Sequence, residues 1–193
     1  MRGSTKLAEE QLPFDTVFLV NQFLRAVCTA VLDAGGQPNQ FLGDGVLALF
    51  GLTSDPASAC RQAIQAAANI AANVDEVNRD LAAHARKPIR FGVGIHGGEV
   101  IIGDIGFRDH RVFTAMGDPV NVAARLQDLT KSLDCAVVLS DEVRERAGLA
   151  AGALPGTRVE LRGRDEPLLV RTVTDAAALS GLLAPAPAIA QAV

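Results

Sequence analysis

A few side chains in this sequence have types and spacings that could do chemistry. Asp44 stands between Gly43 and Gly45, with apolar runs on both sides. Asn121 and Arg125 are four residues apart in a segment of helical periodicity, so an amide and a guanidinium share one helix face. Arg162 and Arg164 flank Gly163 in a short polar turn. A small phosphate site needs only a few such donors, or a metal held by carboxylate. Each group also has a plain structural reading. Asp suits tight turns because it tolerates unusual dihedrals. An Asn–Arg pair can be the solvated face of an amphipathic helix. Arg in a turn reaches freely into water. His84, His96 and His110 are isolated, with no carboxylate spaced to make any of them a general base. Cys28, Cys60 and Cys135 are odd in number and form no CxxC pair. They read as small core residues in a reducing cytoplasm, not as zinc ligands or a disulfide framework.

These groups need elements to hold them. Residues 1–12 are polar and loop-like. From Phe14 to Ala34, Val17, Val20, Leu24, Val27 and Val31 recur at helical spacing, with Pro13 as the start and Gly35-Gly36 as the stop. The runs Gln40–Leu42 and Val46–Phe50 around Gly43-Asp44-Gly45 predict strand, tight turn, strand. Residues 55–83 predict a long helix capped by Asp55 and opened by Pro56. Strands follow over 89–95, 99–102 and 112–115. Asp118–Thr130 is a helix with Val120, Ala123, Ala124 and Leu126 as its buried side. A strand over 136–139, a helix over 140–147 and a hairpin of 159–161 with 168–173 close the pattern. The chain from Ala176 is rich in Ala, Leu and Pro and reads as a ragged tail or a packing arm. The expected domain is therefore 1–175, with 176–193 as the tail. Helices alternating with paired strands imply an α+β fold, with a mixed or antiparallel sheet and helices on one face.

Composition sets the outer bounds. The 193 residues are 49% hydrophobic and 21% charged, enough for one domain with a packed core. The formal net charge of −4 and the absence of Trp and Tyr argue against nucleic acid as a partner. Neither a signal peptide nor an apolar run of membrane-spanning length is expected, so this segment is expected to make no membrane contact.

Three stretches together carry a family resemblance: GGQPNQFLGDGVLALFG at 35–51, IRFGVGIHGGEVIIGDIG at 89–106 and FTAMGDPVNVAARL at 113–126. In this order and spacing the chain resembles the catalytic domain of class III nucleotidyl cyclases. The resemblance implies a ferredoxin-like fold, helices packed on a mainly antiparallel sheet. It implies a homodimer with active sites between two domains, and conversion of ATP to 3′,5′-cyclic AMP and pyrophosphate. It also implies two ions, Mg²⁺ or Mn²⁺, held by two aspartates.

Carried over residue by residue, Asp44 is one metal ligand. The other aspartate belongs to a first strand that this chain lacks, since Met1-Arg2-Gly3-Ser4-Thr5 fits the stretch just after it. The sequence is therefore expected to be a fragment or a misplaced start, exposing sheet edges and giving weak or no turnover by itself. The Met1 carbonyl would help hold a metal, and Gly3, Ser4 and Thr5 would offer donors to the β- and γ-phosphates. Asn121 would orient the ribose and Arg125 would bind the α-phosphate, both acting on the partner's metals. Arg164, with Arg162 as the near alternative, would contact the triphosphate. At the base-selecting positions stand Thr114, whose hydroxyl can accept from the adenine amino group, and Gln40, which fits neither the adenylyl nor the guanylyl pattern. ATP is the expected substrate and GTP the alternative. A regulatory sensor or membrane segment upstream is compatible with the family. A non-catalytic dimerisation or regulatory module is the competing reading. A cyclic-dinucleotide synthase is set aside, because Gly97-Gly98-Glu99-Val100 is not its GG[DE]EF motif.

Overall fold

A computed structural model describes residues 1–3, 12–164 and 166–183. The first helix, α1, runs Pro13–Asp33 and the second, α2, Pro56–Ala83. Proline starts both, where its missing N–H costs nothing. The Asp55 carboxylate caps α2 by accepting from the amides of Ala57 and Ser58. Between them lies the expected hairpin, β1 (Gln37–Leu42) and β2 (Gly45–Leu49). Then come β3 (Val93–Ile95), β4 (Ile101–Phe107), β5 (His110–Met116) and α3 (Asp118–Ser132). The chain continues with β6 (Val137–Ser140), α4 (Asp141–Arg146), β7 (Gly156–Val159) and β8 (Leu168–Val173). A short 3-10 helix follows at Ala176–Gly181. Its Leu179 is fully buried in the cluster with Ile64 and Leu139, so this part of the C-terminal stretch is a packing arm.

The main sheet has the order β3-β6-β8-β7, with β3 parallel to β6 and the other pairs antiparallel. All four residues of β6 are buried, which requires cover on both faces. Val137 and Leu139 pack with Ile64, Ala67 and Ala68 of α2. Val138 and Val170 pack with Val122 and Leu126 of α3. Helices thus lie on both faces of this sheet, not on one as the element pattern suggested. The unbroken apolar run VVL is the mark of a doubly covered strand. Gly94 lets α3 approach closely, since a side chain there would overlap the Ala123 carbonyl and the Gln127 amide.

Two buried stripes differ from expectation. On α1 the core side is Leu19, Phe23, Ala26, Val27, Ala30 and Val31, whereas Val17 is exposed. On α3 it is Val122, Leu126 and Thr130, not Val120 and Ala124. Alanine and valine occur all round both helices, so composition does not mark the buried side. By length and hydropathy α1 could cross a membrane. Here its inner side joins Ile70 and Val74 of α2 in a core cluster.

Hairpins β1-β2 and β4-β5 each form a separate two-stranded sheet. Among the described residues, β2 pairs with β1 and β3 with β6, and the other edge of each is unpaired. A cavity of about 920 Å³ lies between them, lined by Val46, Ala48 and Phe50 on one side and Phe91, Val93 and Ile95 on the other. Met1 and Gly3 enter its end, and Arg2 bridges to Arg90.

Candidate active site

The Asp44 turn is tight, with Gly43 at φ +62, a conformation that favours glycine. It brings Asp44 to the chain start. The Met1 amino group donates to the Asp44 carbonyl at 3.1 Å and stands 3.5 Å from its Oδ2. Burial lowers the pKa of that amine, and the Asp44 carboxylate pulls it back up. Asp44 Oδ2 is itself buried and accepts no hydrogen bond. A buried carboxylate oxygen that faces the Met1 ammonium without a hydrogen bond suits a divalent cation as one ligand. Among the described residues no group of three or more His, Cys, Asp or Glu could hold a metal. The carboxylates lining the cavity are those of Asp44 and Glu99. Gly3 lines the same cavity as Met1 and Asp44. Ser4 and Thr5 lie outside the described residues.

Asn121 and Arg125 lie in the first two turns of α3. Asn121 is exposed and Arg125 half-buried. The turn after Leu161 folds over this face: the Arg164 amide donates to the Leu161 carbonyl, and a Cβ at Gly163 would sit 3.9 Å from the Arg125 guanidinium. Arg164 pairs with Asp118 Oδ2 at 3.6 Å, one turn before Asn121. Arg162 is exposed. The structure thus brings Asn121, Arg125 and Arg164 to one corner. The sequence marks Asp118 only as the first residue of a helix, with nothing to point to its pairing with Arg164.

The two groups do not meet within one chain. Val120, Ala123, Ala124 and Gln127 of α3 line the cavity that Met1, Gly3 and Asp44 share. Asn121 and Arg125 are not among its lining residues, because they sit roughly 100° further round the helix.

The residues expected to contact the base form a third group. Thr114 is 8% exposed and donates from Oγ1 to Asn39 Oδ1 at 3.0 Å. Asn39 Nδ2 donates to the Phe113 carbonyl at 2.9 Å. Gln40, the other expected base contact, pairs in register with Leu47 and is half-buried. The residue bonded to Thr114 is its neighbour Asn39, which no sequence signal marked.

Of the histidines, His96 shares a 2.9 Å hydrogen bond with buried Ser140, and burial lowers its pKa, so it serves the fold as a neutral ring. Cys60 and Cys135 are buried, Cys28 is half-buried, and all three are free.

Several surfaces around these sites are apolar and uncovered. Phe14 is 90% exposed, Ile101 73% and Phe107 71%. Phe41, Val112 and Phe113 are exposed as well.

Residues 1–167 match the family described as the adenylate and guanylate cyclase catalytic domain. An adenylate cyclase of Anabaena cylindrica is 29% identical over 180 residues, covering 90% of this chain and 35% of that protein. An uncharacterised protein of Mycobacterium tuberculosis is 33% identical over 168 residues, covering 86% of this chain and 30% of that protein. The chain thus spans about a third of the length of these curated relatives. The crystal structure of the guanylyl cyclase Cya2 superposes with a TM-score of 0.80 at 25% identity, covering 90% of this chain and 87% of that one.

Proposed function

The chain belongs to the adenylate and guanylate cyclase catalytic domain family, and from that premise we propose that it forms 3′,5′-cyclic AMP from ATP at a site completed by a second copy. The observation that carries this reading is the separation just described. Asp44, Met1 and Gly3 face one cavity, while Asn121 and Arg125 face away from it. A second copy, docked through the exposed apolar hairpins, would bring its Asn121 and Arg125 over this copy's Asp44.

In the reaction the ribose 3′-oxygen bonds to the α-phosphorus and loses its proton to water, while the bond to the departing pyrophosphate breaks. Arg125 stabilises negative charge as it grows on the α-phosphate. Asn121 orients the ribose. Arg164 exchanges Asp118 for the triphosphate, as Gly3, Ser4 and Thr5 donate to its outer phosphates. Thr114 Oγ1 accepts from the adenine amino group, with Gln40 beside it. Divalent ions serve this family. Here two Mg²⁺ or Mn²⁺ would neutralise phosphate charge and favour loss of the hydroxyl proton, with Asp44 and the Met1 carbonyl as ligands. Of the two metal-holding aspartates that the family resemblance calls for, Asp44 is the one matched here, so this chain alone should turn over weakly or not at all. That same fact favours a second reading, a non-catalytic dimerisation module. The domain would work in the cytoplasm, where nucleoside triphosphates are abundant.

The test is an assay of the full-length protein with Mn²⁺ and ATP or GTP, followed by cyclic nucleotide and pyrophosphate. Asp44→Ala and Arg125→Ala should each be inactive. Mixed, they should regain about a quarter of wild-type activity, because half the dimers then carry one intact site of two. Cyclic GMP in place of cyclic AMP would keep the mechanism and change the substrate. No product from a folded dimer would favour the regulatory module.

A further inference from the structure

The base-selecting corner contains more than its two expected residues. Strand β1 is irregular there: Pro38 pairs with Ala48 and Gln40 with Leu47, leaving Asn39 as an extra residue between them. A bulge of this kind re-aims one side chain. Asn39 is aimed at β5, where it holds both the Phe113 carbonyl and the Thr114 hydroxyl.

The order of these bonds fixes a polarity. A carbonyl can only accept, so the Phe113 oxygen must face the Asn39 amide nitrogen. That turns Asn39 Oδ1 toward Thr114. Oδ1 can only accept, so the hydroxyl must donate its single proton to it. What Thr114 Oγ1 has left for a third group is a lone pair. Space for that group exists alongside. Gly103 stands directly across the hairpin from Thr114, and a Cβ built on it would meet nothing within 4 Å. Directly opposed residues share a face of a hairpin, so the hydroxyl borders an open patch where a flat ring can lie.

We propose that Asn39 is a positioning residue for base selection: it locks the Thr114 hydroxyl as an acceptor, so the patch over Gly103 favours a purine with an amino group at its 6-position over one with an oxygen there. This rests on the nucleotide-cyclase reading and adds the element that decides between its two substrates. Gln40 alone cannot decide, because its amide both donates and accepts.

The test uses the full-length protein with Mn²⁺ and two non-cyclisable probes, 3′-deoxy-ATP and 3′-deoxy-GTP, titrated by calorimetry. The wild type should bind the adenine probe roughly tenfold more tightly, the factor that about one hydrogen bond supplies. Asn39→Leu frees the hydroxyl to donate, and the two affinities should converge. Asn39→Asp still accepts the hydroxyl proton and should keep the preference even if both affinities fall. In a Thr114→Val background, Asn39→Leu should leave the ratio unchanged. Gly103→Leu should block both probes. Thermal melts confirm that each variant is folded. The proposal is overturned by a wild type that binds neither probe or prefers guanine. It is equally overturned by an Asn39→Leu effect that is equal on both probes or survives in Thr114→Val. The expected binding pattern without any cyclic nucleotide product would remove the cyclase reading and leave this one standing. Cyclic GMP production with a guanine preference would do the reverse.

Discussion

The four-stranded sheet and the two hairpins are made of similar apolar strands, but they live in different surroundings. In the sheet, Val137, Val138, Leu139 and Val170 are wholly buried between α2 and α3. On the hairpins, Phe41, Ile101, Phe107 and Phe113 face solvent. An isolated two-stranded ribbon has little stability of its own. Yet these ribbons carry Asp44, Asn39, Gln40 and Thr114, while Arg125 lies on α3 and Arg164 in the turn between β7 and β8. The contrast shows a division of labour. The sheet holds the buried core, and on the reading proposed above the apolar faces of the hairpins would receive a second copy.

The strongest way to break this contrast is at the site itself. In the full-length protein, Arg125→Ala should lower turnover about 10²–10³-fold with little change in KM, because its charge partner exists only in the transition state. A change confined to KM in steady-state assays would sink that role. The next effect is in the sheet. Leu139→Ala should cost about 2–5 kcal/mol in urea unfolding, whereas Phe107→Ser should cost under about 0.5 kcal/mol. Phe107→Ser should instead weaken self-association in sedimentation experiments; if the monomer unfolds as easily as Leu139→Ala, the division fails.

A pH series sharpens the same point. Asp141 accepts from Arg144 and Arg171, each at 2.6 Å, and their guanidinium groups hold its pKa at about 2 against burial, below the ordinary 3.8. A depressed carboxylate stabilises the fold above its unfolded pKa. That contribution should fade as pH drops from about 4 toward 2. Asp141→Asn should flatten the acid limb of stability; an unchanged limb would mean that the pair does not tie α4 to β8. The smallest contrast lies within α3, where Val122→Ala should destabilise by about 1–2 kcal/mol and Val120→Ala by less.

Much of the fold was legible. Helices α1 and α2 fall within a residue or two of their expected bounds because proline, a capping Asp and Gly pairs punctuate them. The Asp44 hairpin follows from Gly-Asp-Gly between apolar runs. Hairpin β4-β5 is longer than expected because its glycines, which argue against strand locally, are tolerated once the register is set. Strand β3 is shorter, since Asn78 grips Ile89 from α2 with bonds of 2.6 and 3.0 Å and holds residues before Val93 outside the ladder.

For the candidate site, Asp44, Asn121, Arg125 and Arg164 stood out by type and spacing, while Thr114 and the expected role of each came from the family resemblance. The roles of Asp118 and Asn39 were invisible. Asp118 pairs across a turn that begins beyond Leu161, and Asn39 reaches Thr114 only because a bulge breaks the alternation of β1. The sequence alone determined which groups are present and which local elements carry them, since capping, turn chemistry and periodicity act over a few residues. Tertiary structure decided which sides of α1 and α3 are buried and which cavity Asp44 faces. It also decided which residue orients Thr114. Those outcomes depend on contacts between segments about 75 residues apart, and no local pattern records them.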